Sequence, residues 1–265
     1  MRNTITHGRE YLETTLNQTL SQGNKIFVPY VMAGDGGLDQ LIPNLKFLSE
    51  EGATAIELGI PFSDPVADGP TIQEAGKRAL EQNVTLKSVI ELLKQERYQI
   101  DAPIIFMTYI NPIFKYGIEN FIKDAQEAGV DGLIIPDLPF EQQVLISNHL
   151  NEAGIALIQL VSLTSSKKRI KQLAEASQGF TYAITVNGIT GARSNFAKDL
   201  EAHLSQLQEF SSAPVLAGFG ISSPEHVEQM GNMADGVIVG SKIIELLQDN
   251  DTDSIKRLIE SSKAK

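Results

Sequence analysis

The chain has 265 residues, 42% of them hydrophobic, enough to bury one substantial core, so one large domain or two small ones are both compatible with its length. A formal net charge of -11 disfavours nucleic acid or an anionic membrane as the main partner, because the overall field repels polyphosphates, although a small phosphorylated ligand held locally stays possible. The absence of cysteine excludes disulfides, thiolate nucleophiles and sulfur-ligated metals, and fits a reducing cytoplasm.

The chain opens on a polar stretch with no signal-peptide pattern, and its longest apolar runs, such as Ile26 to Ala33, fall far short of the roughly 20 residues needed to cross a bilayer. A soluble, cytoplasmic protein is expected. Arg9 to Gln22 reads as a first helix. Short β-branched runs then recur at Lys25 to Met32, Thr54 to Gly59, Pro103 to Tyr109, Gly132 to Pro136, Ile155 to Val161, Phe180 to Thr185, Pro214 to Ala217 and Gly236 to Val239. Several are apolar almost throughout, as parallel strands covered on both faces should be. Segments of helical period lie between them, at Leu38 to Glu51, Leu86 to Tyr98, Ile118 to Ala128, Gln142 to Ala153 and Ser166 to Ala176, and Ser254 to Ser262 forms a closing helix. Gly52, Gly129 and Gly154 each follow such a segment, where a left-handed C-cap costs least without a Cβ.

No linker or composition shift interrupts this alternation, so residues 1–265 are read as one domain. Eight strands in about 250 residues predict an α/β fold of the (β/α)8 TIM-barrel type, with Arg9 to Gln22 as an extra N-terminal helix. An open doubly wound sheet competes, but its first strand would normally be followed by a nucleotide fingerprint, and Ala33-Gly34-Asp35-Gly36-Gly37 lacks the spacing.

In a barrel the chemistry belongs at the C-terminal ends of the strands. Glu57 closes the second run, among Ala55, Ile56 and Leu58, where a carboxylate is costly unless paired, protonated or contacted by substrate. A structural carboxylate satisfied by amides or a base is the competing reading. Asp68 follows eleven residues on, in Ala67-Asp68-Gly69-Pro70-Thr71, where Pro70 suits a first helical position and Asp68 could equally be turn chemistry. Asp64, in Ser63-Asp64-Pro65, reads as a turn residue. The seventh and eighth runs end in Gly218-Phe219-Gly220 and Gly240-Ser241, glycines whose amides can approach an anion beside a helix N-terminus. Gly-x-Gly alone is usually just a tight turn; its pairing with Gly240-Ser241 favours a phosphate cup. Asn187 to Arg193 has the composition of a lid or of a plain surface loop. None of His7, His149, His203 and His226 falls at a predicted strand end or makes a ligand motif, so no metal site is expected, and acid/base work falls to carboxylates, aided by a tyrosine such as Tyr182 or Tyr109. Phe27 and Met107, core residues by default, could line an apolar pocket.

Glu57-Leu58-Gly59-Ile60-Pro61-Phe62-Ser63-Asp64-Pro65-Val66-Ala67-Asp68-Gly69-Pro70-Thr71-Ile72-Gln73 closely resembles the signature of the tryptophan synthase alpha chain family. Phe27-Val28-Pro29-Tyr30, Met107-Thr108-Tyr109-Ile110-Asn111-Pro112, Pro136-Asp137-Leu138-Pro139, Gly188-Ile189-Thr190-Gly191, Gly218-Phe219-Gly220-Ile221-Ser222 and Gly240-Ser241 follow in the family's order. The resemblance runs from about residue 10 to the end.

It implies a (β/α)8 barrel that cleaves indole-3-glycerol phosphate to indole and glyceraldehyde 3-phosphate, a retro-aldol reaction needing no metal or organic cofactor in this chain. By the same resemblance Glu57 exchanges protons with the substrate, Asp68 accepts the indole N–H, and Tyr182 orients or packs against the pair. Thr190 hydrogen-bonds the loop carrying Asp68; Gly191, Gly220, Gly240 and Ser241 hold the phosphate, and Phe27 lies against the indole. The implied partner is a beta chain with its own pyridoxal phosphate, in a heterotetramer of two alpha and two beta chains, faced by the loop holding Asp64 and Pro65. Two features depart from the family pattern: Gly36-Gly37 follows Asp35 where proline is usual, and Val186-Asn187 opens the lid where many members carry a smaller or basic residue. Another phosphate-binding barrel enzyme, or a barrel serving mainly to bind and activate a beta chain, are the alternatives.

Overall fold

The computed structural model describes residues 7–162, 164–184, 193–218 and 220–264, with backbone alone at 193–199. Among the described residues nine parallel strands form one sheet: β1 (Ile26–Met32), β2 (Ile56–Gly59), β3 (Ile104–Met107), β4 (Gly132–Ile134), β5 (Ala156–Leu157), β6 (Gln159–Ser162), β7 (Thr181–Ile184), β8 (Val215–Gly218) and β9 (Gly236–Val239). Their order is β5-β4-β3-β2-β1-β9-β8-β7-β6. The first and last strands of that order are the two halves of the single predicted run Ile155 to Val161. That run pairs with β4 through Ala156–Leu157 and with β7 through Gln159–Ser162, so the sheet closes on itself across Ile158. The count of nine therefore corrects eight without changing the architecture: one strand is split where it passes from one neighbour to the other.

Twelve α-helices surround the sheet among the described residues. Three predicted helices have a 3-10 turn at one end: Leu38–Gln40 before α2 (Leu41–Glu50), Arg97–Gln99 after α4 (Leu86–Glu96), and Phe140–Gln142 before α7 (Val144–Ala153). Gly52, Gly129 and Gly154 all have positive φ, which glycine adopts at a helix end without steric penalty. Gly36 and Gly37 also sit at positive φ, which a proline could not adopt.

Alternation along the strands sorts the core into two layers. Ile26, Val28, Ala55, Ile105, Ile134, Ala156, Ile158, Phe180, Leu216 and Ile238 fill the barrel interior, and α1 (Arg9–Ser21) closes its lower end with Leu12 and Leu16. The outward-facing set, Phe27, Val31, Ile56, Leu58, Ile104, Val237 and Val239 among them, packs against the helices. Above the sealed lower half, the inward positions change character to Tyr30, Glu57 and Tyr182. That change positions the site.

Candidate active site

Glu57 lies in the middle of β2, in register with Tyr30 of β1 and Ile105 of β3, and is only 1% exposed. Asp68 belongs to the loop between β2 and α3 (Pro70–Glu81) and is half-buried. Its backbone N–H bonds Pro65 O at 3.1 Å and its carbonyl accepts from Gln73 Nε2 at 2.8 Å, while Gly69 and Pro70 start α3 as expected for a turn feeding a helix. The same loop is fastened from β3's end: the Tyr109 hydroxyl accepts from Ala67 N at 3.0 Å, and the Phe62 and Tyr109 rings stand 5.3 Å apart.

The two acids are electrostatically coupled. Burial pushes the Glu57 carboxyl up to about 8, and the neighbouring Asp68 charge adds to the shift. Burial also raises Asp68, to about 6, with a hydrogen bond to Tyr109 pulling the other way. At neutral pH one carboxyl is therefore mainly neutral and the other mainly ionised. Among the described residues neither Glu57 Oε2 nor Asp68 Oδ1 has a hydrogen-bond partner, although both atoms are buried. Buried polar atoms without a partner are uncommon in folded proteins, and two on converging acids mark a place built for a ligand.

Two tyrosines frame the pair. Tyr182 of β7 is half-buried, and its acidity is weakened by burial first and then by the charges of Glu57 and Asp68. Tyr30 is 3% exposed, and its acidity is weakened by burial and then by the same two acids. Each ring lies against a strand glycine: a methyl group on Gly59 would collide with Tyr30, and one on Gly218 would collide with Tyr182.

At the ends of β8 and β9, Gly220 has φ +71 and Gly240 caps α11 (Ser241–Gln248) with no side-chain cap. The first amides of a helix have no partner within it, and here they open beside an exposed Ser241 hydroxyl, a setting able to hold a phosphate. Asp64 is exposed, accepts from Ser63 Oγ at 2.5 Å, and with the half-buried Pro65 forms a tight turn whose tip, Val66, is 82% exposed.

Thr190, Gly191 and the rest of the expected lid at 187–192, together with Val186 and Phe219, lie outside the described residues. Phe27 is fully buried in the helix-facing layer, paired with Val237, and is not among the groups facing Glu57. Tyr30, three residues on and on the opposite face of β1, is the residue in register with Glu57. Period-two alternation from Ile26 would have found Tyr30 in the sequence. Met107, in register with Gly59, lines the interior near the acids. Two large surface clefts, of about 720 Å³ beside Asp35 and Arg78 and about 1030 Å³ beside Phe62 and Tyr116, are lined by neither carboxylate.

Residues 16–265 match the sequence model of the family described as the tryptophan synthase alpha chain. The tryptophan synthase alpha chains of Bacillus anthracis and Bacillus thuringiensis subsp. konkukian are each 50% identical over 250 residues, covering 94% of this chain and 97% of theirs. Among solved structures, tryptophan synthase subunit alpha from Legionella pneumophila str. Paris superposes with a TM-score of 0.85 at 32% identity, over 95% of this chain and 97% of that one. Tryptophan synthase from M. tuberculosis, in its aminoacrylate- and BRD0059-bound form, gives 0.87 at 27% identity over 98% and 100%.

Proposed function

The chain belongs to the tryptophan synthase alpha chain family, and from that premise we propose that it cleaves indole-3-glycerol phosphate to indole and glyceraldehyde 3-phosphate, using Glu57 and Asp68 as its acid/base pair. The observation that carries this reading is a pair of acids at the mouth of the barrel, each with one buried oxygen that has no hydrogen-bond partner among the described residues, and burial raises both, Glu57 to about 8 and Asp68 to about 6. Glu57, neutral at pH 7, donates its proton to indole C3. Protonation there breaks the aromatic sextet and puts positive charge on the ring nitrogen, and ionised Asp68 accepts the N–H where that charge develops. The Glu57 carboxylate so formed takes the proton of the glycerol hydroxyl next to the ring, the carbon–carbon bond breaks, its electron pair returns to the ring, and the aldehyde forms. Glu57 gives one proton and receives one, so it ends as it began.

Tyr182 orients the acids from the far side of the mouth. The amides of α11's first turn, with Gly191, Gly220, Gly240 and Ser241, hold the phosphate, and Thr190 hydrogen-bonds the loop carrying Asp68. The reaction as written uses no cofactor of this chain. Residues 1–265 act as one domain in the cytoplasm; among the described residues no helix is long and apolar enough to cross a membrane. The partner is a beta chain that carries pyridoxal phosphate, in a heterotetramer of two alpha and two beta chains, and the exposed turn at Asp64, Pro65 and Val66 faces it. The test is incubation of the purified chain with indole-3-glycerol phosphate, with and without a beta chain, measuring indole released. Release that the partner stimulates is expected. No indole under either condition overturns the proposal.

A further inference from the structure

Two helices start at the functional groups of the mouth. α3 follows Asp68 across Gly69, and the Gln73 side chain near its start bonds the Asp68 carbonyl. α11 starts at Gly240 and Ser241 of the anion seat. Their first turns meet, since a methyl group on Gly240 would stand 3.6 Å from Ile72 Cδ1. The place of Asp68 therefore depends on how α3 is held. Its buried residues are Ala75, Gly76 and Ala79, and a methyl group on Gly76 would stand 3.6 Å from Met32 Cε. Side chains this small give a neighbouring groove nothing to grip, so packing alone resists sliding of α3 over β1 only weakly.

The grip lies at the other end of the helix. Arg78, in the last turn, stands about 12 Å along the axis from Pro70. It donates from Nε to Asp35 Oδ1 at 2.7 Å and from Nη2 to Asp35 Oδ2 at 2.8 Å. Such a two-point fork fixes angle as well as distance, which a lysine cannot do. Asp35 is itself well held in the turn that follows β1. Its N–H bonds Met32 O at 3.2 Å, Gly37 N–H bonds Gly34 O at 3.0 Å, and a methyl group on Gly34 would collide with Val84, just past α3. The side-chain amide of Gln248, the last residue of α11, lies against the same ion pair. α3 and α11 are thus joined at both ends, through Ile72 and Gly240 at the mouth and through Arg78, Asp35 and Gln248 behind it.

We propose that Asp35 and Arg78 are positioning residues, a two-point tether that fixes α3 so that Asp68 meets the ligand held between Glu57 and the anion seat. The proposal rests on the functional reading above, in which Asp68 accepts the indole N–H. With the tether cut, α3 shifts and the loop before it carries Asp68 toward solvent. Burial is the main cause of the raised Asp68 pKa, so exposure lets it fall toward the ordinary carboxylate range. The groups that share its field, Glu57 of β2, Tyr30 of β1, Tyr109 after β3 and Tyr182 of β7, are not altered by the substitutions that test this.

The variants are Asp35→Asn, Arg78→Met and the two combined. Each is assayed across pH for indole released from indole-3-glycerol phosphate, with thermal melting as the check of folding. Should Arg78→Met melt below the assay temperature, Arg78→Lys carries the test, since it keeps the charge and loses only the fork. Each single variant is expected to lower kcat about tenfold, with KM within about threefold of wild type. The rising limb of kcat/KM should move below about 6, the limb that Asp68 sets. The combined variant should be no worse than the poorer single one, because both cut the same tether. An unmoved rising limb overturns the proposal even where activity falls with the melting temperature, since the pair then serves stability alone. Losses that multiply in the combined variant overturn it too. A wild-type chain that releases no indole overturns the functional reading itself, and this proposal with it.

Discussion

Two carboxylates are buried at opposite ends of the same barrel. Asp131, at the lower end just before β4, is fully buried: Oδ1 accepts from Gly8 N at 2.6 Å, and Oδ2 accepts from Ile104 N at 2.8 Å and from Arg97 Nη2 at 3.0 Å. Arg97 in turn donates to the carbonyls of Gly129, Ile100 and Ala102, so the cation is as well satisfied as the anion. Glu57, near the mouth, is just as deeply buried, yet one of its oxygens has no partner among the described residues, and the charge beside it is another anion. Asp131 ties the entry to α1, the turn after α4 and the start of β3 into one knot. Glu57 is held by nothing comparable. Burial of a charge does not distinguish a structural acid from a functional one; the completeness of its partners does.

The contrast can be broken or sharpened by experiment. Asp131→Ala should have the largest effect, about 3–5 kcal/mol of lost stability, because it strands the Arg97 guanidinium in a buried site. Urea unfolding measures it, and a loss under about 1 kcal/mol would erase the distinction. Glu57→Gln should keep the fold and lower turnover on indole-3-glycerol phosphate at least about a hundredfold. Its stability should move the opposite way from that of Asp131→Ala. A carboxyl whose folded pKa is raised to about 8 lowers the stability of the native state as pH rises through the interval between its ordinary range and that value, so above pH 8 Glu57→Gln should melt higher than wild type, with the gap closing as the pH falls toward the ordinary carboxylate range. Equal melting curves at high pH would mean that the acid is already satisfied.

A smaller effect concerns the pair's titration. The pH profile of kcat/KM should rise through about 6 as Asp68 ionises and fall through about 8 as Glu57 loses its proton. Tyr109→Phe removes the hydrogen bond that lowers the Asp68 pKa, so its rising limb should move to higher pH; a limb that does not move would detach Tyr109 from Asp68. Smallest of all, Ser241→Ala should raise KM only a few-fold, since the amides of α11 remain. A collapse of folding in that variant would make the serine structural.

Much of the barrel was legible because its signals are local. The apolar runs, the glycines after helices and the Gly69-Pro70 start of α3 each depend on contacts within a few residues. The motif from Glu57 to Gln73 likewise carried both acids in one continuous segment. Alternation along β1 was also legible, and it puts Phe27 on Val237's face and Tyr30 on Glu57's. The break at Ile158 had no local signal, since an apolar run reads the same whether it serves one neighbouring strand or two. Nor did any local signal place the half-buried His7, whose Nδ1 stands 3.5 Å from Asp131 Oδ1.

The sequence by itself determined the alternation of strand and helix, the places where the chain turns, and which residue types could carry acid/base chemistry in a protein without cysteine. Only the tertiary structure decided which buried acid is satisfied and which is not, which tyrosines face the pair, and how far each carboxyl is pushed from its ordinary pKa. The physical reason is distance along the chain. A turn is settled by neighbours a few residues away, but Asp131 is completed by Gly8, 123 residues before it, and Glu57 is set by a field drawn from separate strands and loops that meet only when the barrel closes.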